Sequence, residues 1–143
     1  DDLIELEYKL GLNNVNTFYE FADRINLVKK NLNILIDDLK SKNKTIAGFG
    51  APTKATTLMN HFGIDEKILD FIVDDNPLKQ GLYTPVSHIP VLSAEALYER
   101  KPDYVIILAW NFASSIIHMH QKYSDEIGKF ILPMPVPQIL DKD

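Results

Sequence analysis

The sequence has 143 residues, 45% of them hydrophobic and 24% charged, with a net charge of −5. That length supports one domain with a real core, and the acidic balance excludes a general phosphate-tracking nucleic-acid binder. With no cysteine there are no disulfides, no thiolate zinc sites and no cysteine nucleophile. No apolar run is long enough to span a bilayer and no signal peptide is recognisable, which reads as a cytoplasmic chain with no membrane partner. The chain begins at Asp1 rather than Met, so the expectation is a piece of a longer polypeptide.

In chain order, Leu3, Leu6, Leu10 and Gly11 predict a short helix over 3–12, closed by glycine. From Val15 to Leu39 the apolar positions Phe18, Phe21, Ile25, Val28, Leu32, Leu35 and Leu39 recur every three or four residues. That is one stripe on a single helix about 40 Å long. It packs on the flank of a sheet or against another chain or domain. Lys40 to Lys44 puts cations near the helix C-terminus, as its dipole prefers.

The stretch Lys44 to Lys54 then organises the rest. A short strand (Thr45, Ile46, Ala47) runs into Gly48-Phe49-Gly50, and Pro52 opens a helix as its expected first residue. Glycines there allow positive φ and close approach of a ligand, and the helix start presents N–H groups that suit an anion. Lys54 in the first turn opposes the dipole, which contact with a bound anion would explain; the alternative is that it points into water. Thr53 stands where the dinucleotide fingerprint wants a third glycine, so the motif reads as a Rossmann-like first turn without naming a ligand. The same glycines would also serve a helix packed closely on the sheet.

The helix is expected to reach Phe62, with Ala55, Leu58, Met59 and Phe62 facing the sheet. Ile68 to Val73 reads as a second strand ending at Asp74-Asp75-Asn76-Pro77. Asp74 lies 24 positions after Gly50 (74 − 50), near the spacing of a ribose-holding acid, and the same four residues are an ordinary turn sequence. Residues 77–88 form a long loop, of the kind that usually serves function. Ile89 to Leu92 is a brief strand, and Ser93 caps a helix to about Arg100 with Glu95 in its first turn. Tyr104 to Ala109 is the most clearly buried strand. Trp110-Asn111 follows, suited to stacking and hydrogen bonding or simply to covering the sheet edge and capping a helix. One helix then runs to about Tyr123 with Ile116, Ile117, Met119 and His120. Lys129 to Leu132 is the last strand, and Pro133 to Pro137 cannot continue as helix or central strand.

The expected fold is therefore α/β: a Rossmann-like three-layer domain over 44–143, with a mostly parallel sheet of about five strands. A helical segment, 1–43, packs on it. Ligands in such sheets sit at the carboxyl ends of the strands. No catalytic apparatus is visible. His118 and His120 point to different helix faces and make a poor metal pair, and no metal site is expected.

Five stretches in this order carry a resemblance: Gly48-Phe-Gly-Ala-Pro-Thr-Lys54, Val73-Asp-Asp-Asn-Pro-Leu-Lys-Gln-Gly81, His88-Ile-Pro-Val91, Pro102-Asp-Tyr-Val105 and Trp110-Asn111. Together they resemble the C-terminal domain of S-adenosylmethionine-dependent sugar C-methyltransferases. The resemblance implies a zinc-binding N-terminal domain and a central domain that holds S-adenosylmethionine and the catalytic residues. It also implies a nucleotide-linked deoxysugar substrate, typically a dTDP-linked keto sugar. This chain would bind no cofactor itself and would be inactive alone. Strand-end geometry and the resemblance together set Gly48, Gly50, Ala51, Pro52 and Lys54 against the diphosphate or sugar. Asp74, Asn76, Lys79, His88, Trp110 and Asn111 complete the wall. Two departures stand out: Ala55 where the family usually has glycine, and Pro85-Val86 where it often has Pro-Gly. A stand-alone module binding NAD or coenzyme A, or an interaction domain built on the long helix, are the rival readings.

Overall fold

The computed structural model describes residues 2–140; Asp1 and residues 141–143, the ends of the two expected segments, lie outside the described residues. Six strands form one sheet in the order β3-β2-β1-β4-β5-β6. These are β1 (Ile46–Phe49), β2 (Ile72–Val73), β3 (Val91–Leu92), β4 (Tyr104–Ile107), β5 (Lys129–Leu132) and β6 (Gln138–Leu140). All neighbours are parallel except β5 and β6, which pair antiparallel. The sixth strand is an addition to the five expected. Prolines 133, 135 and 137 do break the chain after β5, and it then returns along the exposed edge, where a short strand leaves little pattern to read.

After α1 (Asp2–Lys9), which buries no residue, helices cover both faces: α2 (Val15–Ser41), α3 (Thr53–Phe62), α4 (Glu95–Arg100), α5 (Ala113–Met119) and α6 (Gln121–Glu126). The strands alternate between two cores with a period of two. Ile46, Ile72, Ile106 and Ile131 pack with α2 and α3. Ala47, Phe49, Val73, Val105, Ile107 and Phe130 pack with α4, α5 and α6. This is the three-layer arrangement that buried parallel strands require. Tyr123 is fully buried, and its hydroxyl donates to the Pro102 carbonyl at 2.7 Å, which ties α6 to the start of β4.

Several boundaries move from expectation, each for a local reason. Gly48 and Phe49 belong to β1 rather than to the turn, because Gly48 lies packed beneath Ile72 and Leu108. Pro52 caps α3 instead of opening it: its ψ of 161° is extended, so the first helical residue is Thr53. Ile68 and Leu69 are folded into a turn whose N–H groups bond to the Asp65 carbonyl, leaving only Ile72 and Val73 as strand. Ser93 is one residue outside the α4 cap, and its hydroxyl bonds the Glu95 carboxylate instead. The expected strand to Ala109 stops at Ile107, and the expected single helix to Tyr123 is broken at His120. His120 is 9% exposed, with its ring turned onto Phe49 at the end of β1.

Candidate functional site

In the sheet the chain steps outward from β1 to β2 and β3, then returns to place β4 on the other side of β1. The crevice of such a sheet lies between the carboxyl ends of those two strands. Gly50 follows β1 at φ +89°, and a Cβ on it would stand 2.7 Å from that of Ala109 just past β4. The turn therefore needs glycine twice over, for its left-handed backbone and for the closeness of the two strand ends. Gly48 is different. A Cβ there would meet Ile72 Cγ1 and Leu108 Cδ1 at 2.9 Å, so this glycine makes room inside the core and faces no ligand surface.

Beyond Gly50 the turn is filled from within. The Asp74 carboxylate, 7% exposed as a residue, accepts the Ala51 N–H at 2.6 Å and the Asn76 N–H at 2.9 Å, and receives Lys79 Nζ at 3.0 Å. Burial pushes the Asp74 carboxyl upward, but the Ala51 and Asn76 N–H groups and the Lys79 ammonium outweigh it, and the net shift is below the usual carboxylate range. Gln80 donates to the Asp74 carbonyl, and Asn76 Oδ1 accepts the Leu78 N–H. One buried carboxylate thus joins the glycine turn to the loop of residues 77–88.

Between α3 and that loop lies an open cleft of about 100 Å³, lined by Ala51, Pro52, Ala55, Thr56, Met59, Lys79, Leu82, Tyr83, Thr84, Pro85 and Val91. Its floor is apolar, and Lys79 is its one charged lining residue. The loop lip is fixed by a compact network: Thr84 Oγ1 meets Ser87 Oγ at 2.8 Å and accepts the Ile89 N–H at 2.9 Å. Val86 and His88 both have left-handed backbone there, φ 68° and 50°. For a β-branched residue such as Val86 that is an outlier.

On the other side of the α3 N-terminus stands a second group. Lys54 Nζ bonds Asn111 Oδ1 and lies 5.1 Å from the Trp110 ring centre and 5.3 Å from that of Phe112. These contacts hold a cation over two aromatic faces at the switch point.

Of the expected site residues, Ala51, Pro52 and Lys79 line the cleft, and Lys54, Trp110 and Asn111 form the cationic group. Gly50, Asp74 and Asn76 build the turn between them, and Gly48 lies in the core. His88 is exposed on the lip and lines neither group. Sequence reasoning missed Met59, Tyr83 and Phe112; the last two show themselves only as large apolar residues left 65% and 59% exposed at the strand ends. It also missed Tyr98, whose hydroxyl sits 3.1 Å from His120 Nδ1, with Asp75 Oδ1 3.8 Å from Nε2. Among the described residues no cluster of histidine, aspartate and glutamate suits a metal ion, and no helix is long and apolar enough to cross a membrane.

Residues 1–135 match the family described as the C-methyltransferase C-terminal domain. The chain belongs to that family. A relative, the C-methyltransferase NovU of Streptomyces niveus, is 34% identical over 142 residues, covering 99% of this chain and 34% of its own length. This C-methyltransferase C-terminal domain thus spans about a third of the curated relative it matches. The resemblance carried by the glycine turn and the later motifs is accordingly a family relationship. Three of its motifs meet at the carboxyl edge of the sheet, His88-Ile-Pro-Val91 runs into the amino end of β3, and Pro102-Asp-Tyr-Val105 anchors the amino edge through the Asp103 carboxylate, which accepts from Thr45 and Lys44.

Proposed function

We propose that this domain is the substrate-side lobe of an S-adenosylmethionine-dependent C-methyltransferase acting on a nucleotide-linked deoxysugar. In this reading a domain upstream binds S-adenosylmethionine and carries out methyl transfer. A base of that domain would take a proton from the carbon beside the sugar ketone, and the resulting enolate would take the methyl group, with S-adenosylhomocysteine leaving. This chain supplies a wall. Its apolar cleft suits the less polar face of a deoxysugar, and Lys54 and Lys79 on either side of the α3 N-terminus suit a diphosphate.

The observation that carries the reading is the pairing of an apolar cleft with a held cation at the switch point of the sheet. Size supports a shared site. A drug-sized ligand fills roughly 300–1,000 Å³, several times the cleft volume, so the rest of a nucleotide sugar would be enclosed by another part of the enzyme. A dinucleotide module has less support, because the Ala51 N–H that would meet a pyrophosphate is already taken by Asp74.

Steady-state kinetics of Lys54→Ala in the complete enzyme test this. The expected result is a KM for the sugar nucleotide raised about tenfold, the loss of one charge-assisted contact, with the KM for S-adenosylmethionine unchanged. Unaltered kinetics for both substrates would refute the role given to Lys54. In calorimetry on the 143-residue chain, binding of NAD or coenzyme A in preference to dTDP or dTDP-glucose would transfer the domain to the cofactor-module reading.

A further inference from the structure

Helix α2 is amphipathic along its whole length, yet the domain covers only its C-terminal half. Leu32, Ile36 and Leu39 are buried in the core under the sheet, and Ile25 and Val28 pack partly against the same cluster. The stripe then continues off the edge of the domain. Phe18 and Phe21 are 52% and 54% exposed, and α1 has no buried residue at all, with Leu3 and Ile4 more than half bare. A stripe that ran out of purpose at Ile25 would gain nothing by remaining aromatic for two more turns.

We infer that α1 and the first three turns of α2 are the seat of the upstream methyltransferase part of the same enzyme, an apolar partner surface that continues the α2 core. This rests on the reading above, in which the chain is the C-terminal lobe of a longer enzyme. Three observations select that occupant. The domain is C-terminal by family and accounts for 34% of the length of the relative it matches, so the larger part of such an enzyme lies on the N-terminal side of α1. The bare face is carried by the elements nearest to that part. A tethered partner acts at an effective concentration on the order of millimolar, which at micromolar protein outcompetes a second copy. The exposure agrees as well. Leu3, Leu6, Phe18 and Phe21 on α1 and α2 are each about half exposed or more, and apolar side chains left bare along a run of helix mark an interaction surface.

The consequence is mechanical. One helix would be shared by two cores, so the angle between the methyl-donor domain and the cleft beside α3 is fixed through α2 rather than through a loose linker.

Hydrogen exchange of the 143-residue chain and of the full-length polypeptide of its gene, with sedimentation of both, tests the inference. The 143-residue chain is expected to be monomeric, with fast exchange over residues 15–24. The same amides should exchange at least about tenfold more slowly in the full-length polypeptide. Phe18→Glu with Phe21→Glu should erase that protection and leave the melting temperature of the 143-residue chain unchanged. Equal exchange in the two polypeptides would overturn the inference. So would a dimer of the 143-residue chain abolished by the double variant, which would make a second copy the occupant. Calorimetry with dTDP-glucose on the same full-length samples reads the substrate proposal separately: protection without sugar-nucleotide binding keeps the interface and removes the substrate.

Discussion

The Asp74 carboxylate sits 2.6 Å from the backbone nitrogen of Ala51, at the turn where a nucleotide-binding sheet would receive a phosphate. The protein has supplied its own anion. That one contact explains why a turn with Rossmann glycines need not bind a dinucleotide, and why the 77–88 loop is held beside α3.

Replacing Asp74 should therefore loosen two elements together. Asp74→Asn keeps one acceptor oxygen for two N–H groups and sets an amide against the Lys79 ammonium. The expected loss is about 2–3 kcal/mol in urea unfolding, as for a buried charge-assisted network with one partner left unmet. The pH dependence has a definite sign. Because the folded carboxyl titrates below its unfolded value, its contribution is complete above about pH 4, where the unfolded group ionises. It is lost as pH falls through the folded value. Acid titration of the Asn variant should lack that component; the same acid limb in both proteins would show that the carboxylate adds no net stability.

The two glycines of the organising motif should separate by substitution. Gly48→Ala pushes a methyl against Ile72 Cγ1 and Leu108 Cδ1 in the core without changing the backbone, and about 1–2 kcal/mol is expected for this overpacking. Gly50→Ala adds a left-handed backbone to a collision with Ala109, and about 3 kcal/mol or more is expected. Thermal melts would settle the order, and an equal or reversed ranking would mean that the turn relaxes freely.

Val86 gives the opposite sign. Its φ of 68° places a branched side chain in the left-handed region, although the side chain is 74% exposed and packs on little. Val86→Gly removes about 1–2 kcal/mol of backbone strain and gives back part of it through unfolded-chain entropy. A net stabilisation of about 0.5–1 kcal/mol is the expected outcome in chemical denaturation. Destabilisation would mean that the Val86 side chain has a contact on the lip that outweighs its backbone.

Much of this architecture was legible because it follows local periodicity. The α2 stripe, the four buried parallel strands around β1 and the glycine turn each announce themselves within a few residues. What was not legible depends on contacts distant in sequence. Asp74 reads as a ribose ligand or a turn residue until Ala51 is seen to lie above it. Gly48 reads as a ligand-facing glycine until Leu108, sixty positions later (108 − 48), is seen to fill the space over it. His120 reads as a helix residue, yet the helix breaks there because its ring is drawn inward onto Phe49. β6 was invisible because three residues on an edge carry no period.

His120 also supplies a pH-dependent prediction. Its ring is buried among Phe49, the Tyr98 hydroxyl on α4 and Asp75 beyond β2, with Glu95 on α4 near enough to favour its charged form. Burial dominates, and the imidazole titrates below its usual value in spite of both carboxylates. The unfolded chain therefore takes up this proton first as pH falls. Stability should be constant in this respect above about pH 6.5. It should decline below that until the folded histidine is itself protonated, with a slope of at most about 1.4 kcal/mol per pH unit for one proton. His120→Gln preserves a hydrogen bond to Tyr98 without a titrating group, so its stability should be flat over the same interval whatever its absolute value. Denaturant midpoints measured at half-unit steps between pH 5 and 8 would show it. Parallel curves for the two proteins would mean that burial and the two acids cancel at this ring, and a wild type that gains on the Gln variant as pH falls would mean that the acids outweigh burial.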